Sequence, residues 1–319
     1  MGALLFAASS WVASRAATFH ALLVARGLTG FAAGMLSTCS ITYAADWFEY
    51  RVRGRALGII SAAYFAAPIL GVPLAAQIAD RFGWRQAFLF FALLALAIAA
   101  LTLGVPKDKL SPQPSTDKMR MAGRAFRSFL ARRDTAAALG IAFLVSGGLV
   151  GFLTYVGQWL NSQFGISTRS IGWVFMLGGV VALGSAPAGG IISDRLGKRW
   201  VAIISNLVLA LAVAFIPFFP WGFWLLVVFS LASMGAAFRQ GPLTALITEL
   251  VPSTQRGAFI ALRNIFSQTG IGLAAIVGGL LYQRHGYAAV TTLCAVMTAL
   301  VAVLLFMHIV EPQTLAEGA

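Results

Sequence analysis

The stretch GGIISDRLGKR, Gly189 to Arg199, is a short polar interruption between two apolar runs. Its residue types suit the end of one membrane helix and the start of the next. Gly190 lets a neighbouring helix come close. Asp194, near a helix end, can accept backbone N–H bonds or pair with an arginine. Arg195, Lys198 and Arg199 hold that end at an anionic membrane surface. A merely basic loop would also be charged, but the spacing G-x-x-x-D-R-x-G-K-R argues for a specific motif.

The runs on either side, roughly 168–191 and 200–219, are each long enough to cross a bilayer, which takes about 20 mainly apolar residues. Eight further candidates fall at roughly 1–15, 18–45, 56–79, 86–105, 136–161, 221–248, 257–282 and 286–309. From Ala56 to Ala79 the run is uncharged, fenced by Arg55 and Asp80. The first candidate is odd, because only 14 residues precede Arg15, too few to cross alone. The chain reads as starting partway through a helix, with no separate signal peptide.

Composition agrees. Of 319 residues 59% are hydrophobic and 10% charged, with mean hydropathy +0.85. A soluble domain is about 25% charged, and no soluble core of this size could hide so much apolar surface. Cys39 and Cys294 lie in apolar runs and read as free thiols. His20, His285 and His308 lack metal-ligand spacing. The basic balance, +13, is better explained by cytoplasmic loops of a membrane protein than by nucleic acid. No metal and no cofactor is expected.

The longest polar stretch, 106–135, divides the spans four to six. Placed in the cytoplasm, it sets the orientation of the rest. Of the 23 Lys and Arg, 15 then fall in inside loops, 5 in outside loops or at their borders, and 3 within spans (Arg26, Arg239 and Arg263). The bias follows the positive-inside rule and puts the C-terminus inside.

Residues 45–88 and 248–291 align without a gap. Asp46 pairs with Glu249, Arg53-Gly54 with Arg256-Gly257, Arg81 with Arg284 and Gly83 with Gly286. The offset is 203. Such parallel repeats occur in secondary transporters, and equal halves would place about 65–70 further residues, with two helices, before Met1.

With these features in hand, Gly190, Asp194, Arg195, Gly197, Lys198 and Arg199 resemble the signature loop of the major facilitator superfamily in its second-half copy, where it latches one conformation. LLVARGLTGFAAG, Leu22 to Gly34, resembles the family's fourth-helix pattern of Arg followed four residues later by Gly, with Thr29 where Gln is common. YFAAPILGVP, Tyr64 to Pro73, resembles the fifth-helix motif of the drug-efflux antiporters. Pro68 and Gly71 match, while Ala67 and Val72 stand where Gly is usual. A generic proline kink is the alternative. Trp84-Arg85, opening the next span, is also family-like. The resemblance covers helices three to twelve of a twelve-helix plan.

It implies an all-α membrane protein with the major facilitator fold and about ten transmembrane helices, its N-terminal half incomplete. The expected parts are a partial helix bundle (1–105), a cytoplasmic linker (106–135), a six-helix bundle (136–310) and a cytoplasmic tail (311–319). The family's central cavity is lined mainly by its helices one, four, seven and ten. That makes Arg26, Tyr155, Gln158, Arg239 and Gln240 the cavity and coupling candidates. Arg26 lies about 14 Å into its span, and a buried arginine is a functional candidate by default. In the family this arginine is linked to proton coupling; a structural ion pair is the other reading. Tyr155, Gln158 and Asn161 share one helix face. Arg263, Asn264 and Gln268 share a later span, where Arg263 reads as structural. For the lone amides, interhelical bonding and substrate contact both stay open.

No Asp or Glu lies deep in any span, although proton-driven carriers generally need a titratable group there. No catalytic constellation is present, so the chain is not read as an enzyme. The implied function is secondary active transport of a small molecule, as proton-coupled efflux by alternating access. The alternatives are a metabolite symporter or uniporter, or a non-transporting fragment of such a carrier. The expected partners are the small-molecule substrate, the lipid bilayer and protons, without nucleic acid. The chain is expected as a monomer in the plasma (bacterial inner) membrane.

Overall fold

The computed structural model describes residues 1–47, 67–104, 126–252 and 255–309. Among them helices dominate and no strand occurs. The helices are α1 (Gly2–Arg15), α2 (Phe19–Trp47), α3 (Val72–Phe82), α4 (Trp84–Leu101), α5 (Arg133–Phe164), α6 (Thr168–Leu196), α7 (Lys198–Phe215), α8 (Phe223–Glu249), α9 (Arg256–His285) and α10 (Tyr287–His308). Among the described residues, eight helices are long and apolar enough to cross a membrane; α1, with 14 residues, and α3, with 11, are the short ones. A π-helical turn, Ala67–Gly71, leads into α3. Residues 56–66 of the uncharged span, most of the 106–135 linker and the 311–319 tail lie outside the described residues.

Large apolar side chains cover the outer faces. Leu211, Phe223, Trp224 and Phe306 are all more than half exposed. Lipid, not water, is the solvent such faces suit. The chain is an integral, multi-pass membrane protein with an all-helical fold.

The helix ends explain why the sequence repeat is real. Gly83 (φ +87°) and Gly286 (φ +76°) occupy left-handed turns that a side chain would strain, and they differ by 203 in number. The same offset maps α1, ending at Arg15, onto α7 with its 3₁₀ continuation ending at Phe218. It maps α2 onto α8 within one residue at each end, and it carries the end of α3 onto that of α9 and the start of α4 onto that of α10. The packing pairs follow suit. Helix α1 packs on α2 and α4, and α3 on α4; α7 packs on α8 and α10, and α9 on α10. The register legible between 45 and 88 therefore extends over four helices of each half.

By packing, the chain divides into two units. One comprises Met1–Gln113 with Ser167–Met176, the other Pro114–Ile166 with Leu177–Ala319. In the first, α1 meets α2 through small residues. Ala3, Ala7, Ser10 and Ser14 of α1 are buried, and Gly2 approaches Leu36 so closely that an added Cβ would lie 3.3 Å from its Cγ. Thr29 Oγ1 of α2 lies 3.0 Å from Ser9 Oγ and 2.8 Å from Ala25 O. Thr29→Val keeps the shape but removes the link. It is expected to lower stability by roughly 0.6 kcal/mol, read as a small drop in the melting temperature of detergent-purified protein.

In the second unit, α5 is the central helix and packs on both α9 and α10. Gly147 and Gly151 of α5 face Gly270 and Ala274 of α9 and Cys294 and Met297 of α10. This small-residue stripe lets backbones touch, the main source of cohesion where no hydrophobic effect operates between helices. Residues 126–131 are helical, and Phe129 is 1% exposed. Its ring meets Phe259 edge-on at 5.2 Å, and Thr135 Oγ1 donates to its carbonyl. The end of the segment joining the halves is thus plugged into the second unit's core.

Candidate functional site

Helix α6 runs through the signature motif to Leu196. Gly197 (φ +90°) makes the turn and Lys198 opens α7. Asp194 and Arg195 are exposed. Lys198 Nζ lies 3.6 Å from Glu249 Oε1 at the end of α8. Arg199 Nη2 donates to Phe306 O of α10, with its guanidinium 5.4 Å over the Phe306 ring. The loop's second half is therefore stitched to α8 and α10. Asp194 makes no ion pair or hydrogen bond among the described residues. The close helix approach expected at Gly190 falls one residue earlier. A Cβ on Gly189 would lie 2.7 Å from Phe238 Cα and O, whereas Gly190 has nothing within 4 Å. The reason is helical phase: Gly189 is the one turned toward α8.

In the first unit, Arg26 is exposed, with its guanidinium 5.5 Å over the Phe88 ring of α4. Gly71 closes the π-helical turn, while the side chain of Pro68 lies outside the described residues.

In the second unit, Tyr155 turns toward α9. Its hydroxyl donates to Ala275 O, its ring stacks on Tyr282 at 5.7 Å, and Gly278 and Gly279 make room for it. Trp159 stacks on Tyr287 at 4.7 Å, and Ser162 Oγ lies 3.1 Å from Tyr282 Oη. These aromatics tie together one end of α5, α9 and α10. Gln158, one turn on, is exposed. Asn161 Nδ2 donates to Ile166 O, capping the helix end.

Arg239 and Gln240 are neighbours with opposite fates. Gln240 is exposed, whereas Arg239 is 0% exposed. Arg239 Nη1 donates to Asn206 Oδ1 of α7 at 2.6 Å, and Nη2 points to Val145 O of α5 at 3.4 Å. Asn206, also 0% exposed, donates to Ala202 O. The Arg239 and Arg263 Nε atoms are buried without a partner. Neither of these arginines, nor Arg26, makes an ion pair among the described residues. Asn264 and Gln268 are exposed on α9.

The structure thus brings Tyr155 beside Gln158 and Arg239 beside Gln240 within one unit, and places Arg26 in the other. Sequence reasoning missed Asn206, although it is the sole amide in the apolar run of α7. It also missed the glycine stripe of α5 and α9, visible as Gly and Ala at four-residue spacing.

The sequence pattern described as Major Facilitator Superfamily matches residues 1–182 and, in an overlapping second placement, 138–318. The chain is 26% identical over 302 residues to YwfA of Bacillus subtilis, named an uncharacterized MFS-type transporter, covering 94% of this chain and 73% of YwfA. It is 28% identical over 275 residues to NarK2 of Mycobacterium tuberculosis, named a "probable nitrate/nitrite transporter", covering 82% of this chain and 62% of NarK2. It is 26% identical over 150 residues to the niacin transporter NiaP of Acinetobacter baylyi, covering 47% and 34%. The relatives are transporters, and this chain is a membrane transporter of small molecules rather than an enzyme. Family match, helical repeat and apolar outer faces agree: the chain belongs to the major facilitator superfamily.

Proposed function

We propose that this chain is a secondary active carrier that works by alternating access and couples efflux of a small molecule to proton entry. The observation that carries the reading is the repeat, two units sharing helix order, turn glycines and packing pairs at one offset. Halves of that kind rock about a site between them in secondary transporters. The resemblance of the fifth-helix motif at Pro68 and Gly71 to that of drug-efflux antiporters supports the efflux direction. The positive-inside bias supports the plasma (bacterial inner) membrane with the C-terminus in the cytoplasm. The signature loop, held to α8 and α10 by Lys198 and Arg199, serves as the inner latch. The carrier acts as a monomer. Arg26, Tyr155, Gln158 and Gln240 contribute to the substrate and coupling path.

A second reading, symport of a small anion, has its own support. Arg26, Arg239 and Arg263 lie in spans and make no ion pair among the described residues. NarK2 and NiaP are named for nitrate, nitrite and niacin, which are anions at neutral pH.

Proteoliposomes with an imposed pH gradient separate the two. Efflux antiport predicts that an acidic interior drives substrate into the vesicles. Symport predicts that an acidic exterior does so, with nitrate or nicotinate among the carried solutes. Flux that is unchanged when the gradient is collapsed would overturn proton coupling in both forms.

A further inference from the structure

The repeat offers a control for the buried Arg239–Asn206 pair. At the offset of 203, Arg239 corresponds to Leu36 (36 plus 203) and Asn206 to Ala3 (3 plus 203). In the first unit this position is apolar. Leu36 packs over Gly2, and Ala3 is 6% exposed. Helices α1 and α2 pack against each other, as do α7 and α8, yet only α7–α8 carries a buried guanidinium there. The helix pair itself thus has no need of the charge. Burying an arginine in a membrane helix is unfavourable, and replacing a buried polar pair by packed apolar residues is often neutral or stabilising. The pair serves something particular to the second unit.

Its place shows what. Pro242 lacks an N–H, so α8 loses the rung that would return to Phe238 O. The turn holding Arg239, Gln240 and Gly241 lies across that missing rung. A helix that lacks a rung can swivel there. On one side Gly189 of α6 sits directly against the Phe238 backbone. On the other, Arg239 reaches Asn206 of α7 and Val145 O of α5 from one planar group. Two anchors on two helices fix the rotation of the turn. Gln240, the next residue, is then held on the outward face.

We propose that Arg239 and Asn206 are positioning residues. They form a rotational stop that compensates for the Pro242 break and sets the direction in which Gln240 faces the transport path. The proposal rests on the reading of Gln240 as a path residue.

The test uses the full chain in liposomes with Gln240→Cys and Cys39→Ser. Labelling by the charged, water-borne reagent 2-(trimethylammonium)ethyl methanethiosulfonate is compared with the same protein lacking Gln240→Cys. With the pair intact, Cys at 240 labels. In Arg239→Leu/Asn206→Ala, which copies the first unit, the protein stays folded and the rate falls about five-fold or more. Asn206→Asp keeps the acceptor and keeps the rate. Arg239→Lys, which has no planar fork to span two helices, lowers it. An unchanged rate in the folded double variant overturns the positioning role. A double variant that fails to fold overturns it too, because the pair would then be needed for packing. No labelling with the pair intact overturns instead the placement of Gln240 on the path.

Discussion

Asn206→Leu is expected to lower the stability of the folded protein by about 3–5 kcal/mol. The substitution removes the acceptor 2.6 Å from Arg239 Nη1 and leaves a fully buried guanidinium whose remaining protein contact is Val145 O at 3.4 Å. Arg239 Nε already lacks a partner. A charge stranded in this way costs far more than the bond it loses. Arg239→Leu is milder, roughly 1–3 kcal/mol, because it strands only a neutral amide oxygen. Removing both partners together is expected to be close to neutral, since nothing polar is left without a partner. The melting temperatures of the three purified variants should therefore rank Asn206→Leu lowest, Arg239→Leu next and the double variant highest. A double variant as unstable as Asn206→Leu would show that the pair contributes packing that leucine and alanine cannot replace.

Gly270→Leu is expected to abolish recovery of folded protein. A Cβ at Gly270 would press into the Phe143 backbone of α5, whose carbonyl, carbonyl carbon and Cα all crowd that position. Backbone cannot swing aside as a side chain can, so α9 must lift off α5. Overpacking a core with extra methylenes costs about 1–3 kcal/mol even where side chains can give way. Lifting α9 would also loosen the α5–α9 contacts at Gly147, Gly151 and Ala274, and pull Ser267 Oγ from Ala142 O, at 3.3 Å. Gly272→Ala, two residues along on the same helix, meets nothing within 4 Å among the described residues and should be tolerated. Size-exclusion profiles of the two proteins in detergent decide the matter. A monodisperse Gly270→Leu would mean that the α5–α9 seam is looser than the structure has it.

These two sites mark where sequence reading succeeds and where it stops. Spans such as 200–219 and 286–309 are legible because lipid demands a long apolar run, and composition alone reports one. Turn glycines 83, 197 and 286 are legible because each breaks a run beside charged residues, and all three take left-handed backbone. The repeat was legible only between 45 and 88, where charged residues serve as landmarks. Across α1–α2 and α7–α8 it is silent, since leucine, alanine and phenylalanine interchange freely against lipid. Facing is the harder quantity. A helix that is apolar all round carries no moment to show which side meets protein. Hence Tyr155 and Gln158, one turn apart, could be grouped on a face, yet nothing in the sequence said that Tyr155 would turn to Ala275 of α9. The same limit hid the division of labour between Arg239 and Gln240. Adjacent residues on a helix diverge by about 100°, so one went inward and the other outward. The tight glycine is Gly189, not its neighbour Gly190, for the same reason.

Carriage by alternating access requires a binding site exposed to one side of the membrane at a time. Counterflow tests it most directly. Proteoliposomes holding the full chain are loaded with millimolar unlabelled nitrate or nicotinate, then diluted into a trace of the labelled solute. A carrier that exposes its site to one side at a time returns with label for each unlabelled molecule it releases. Alternating access predicts a transient accumulation of label above equilibrium for a transported solute, at a rate that saturates with concentration. Label that only equilibrates, at a rate rising linearly with concentration and with no overshoot for any solute that crosses, would contradict it.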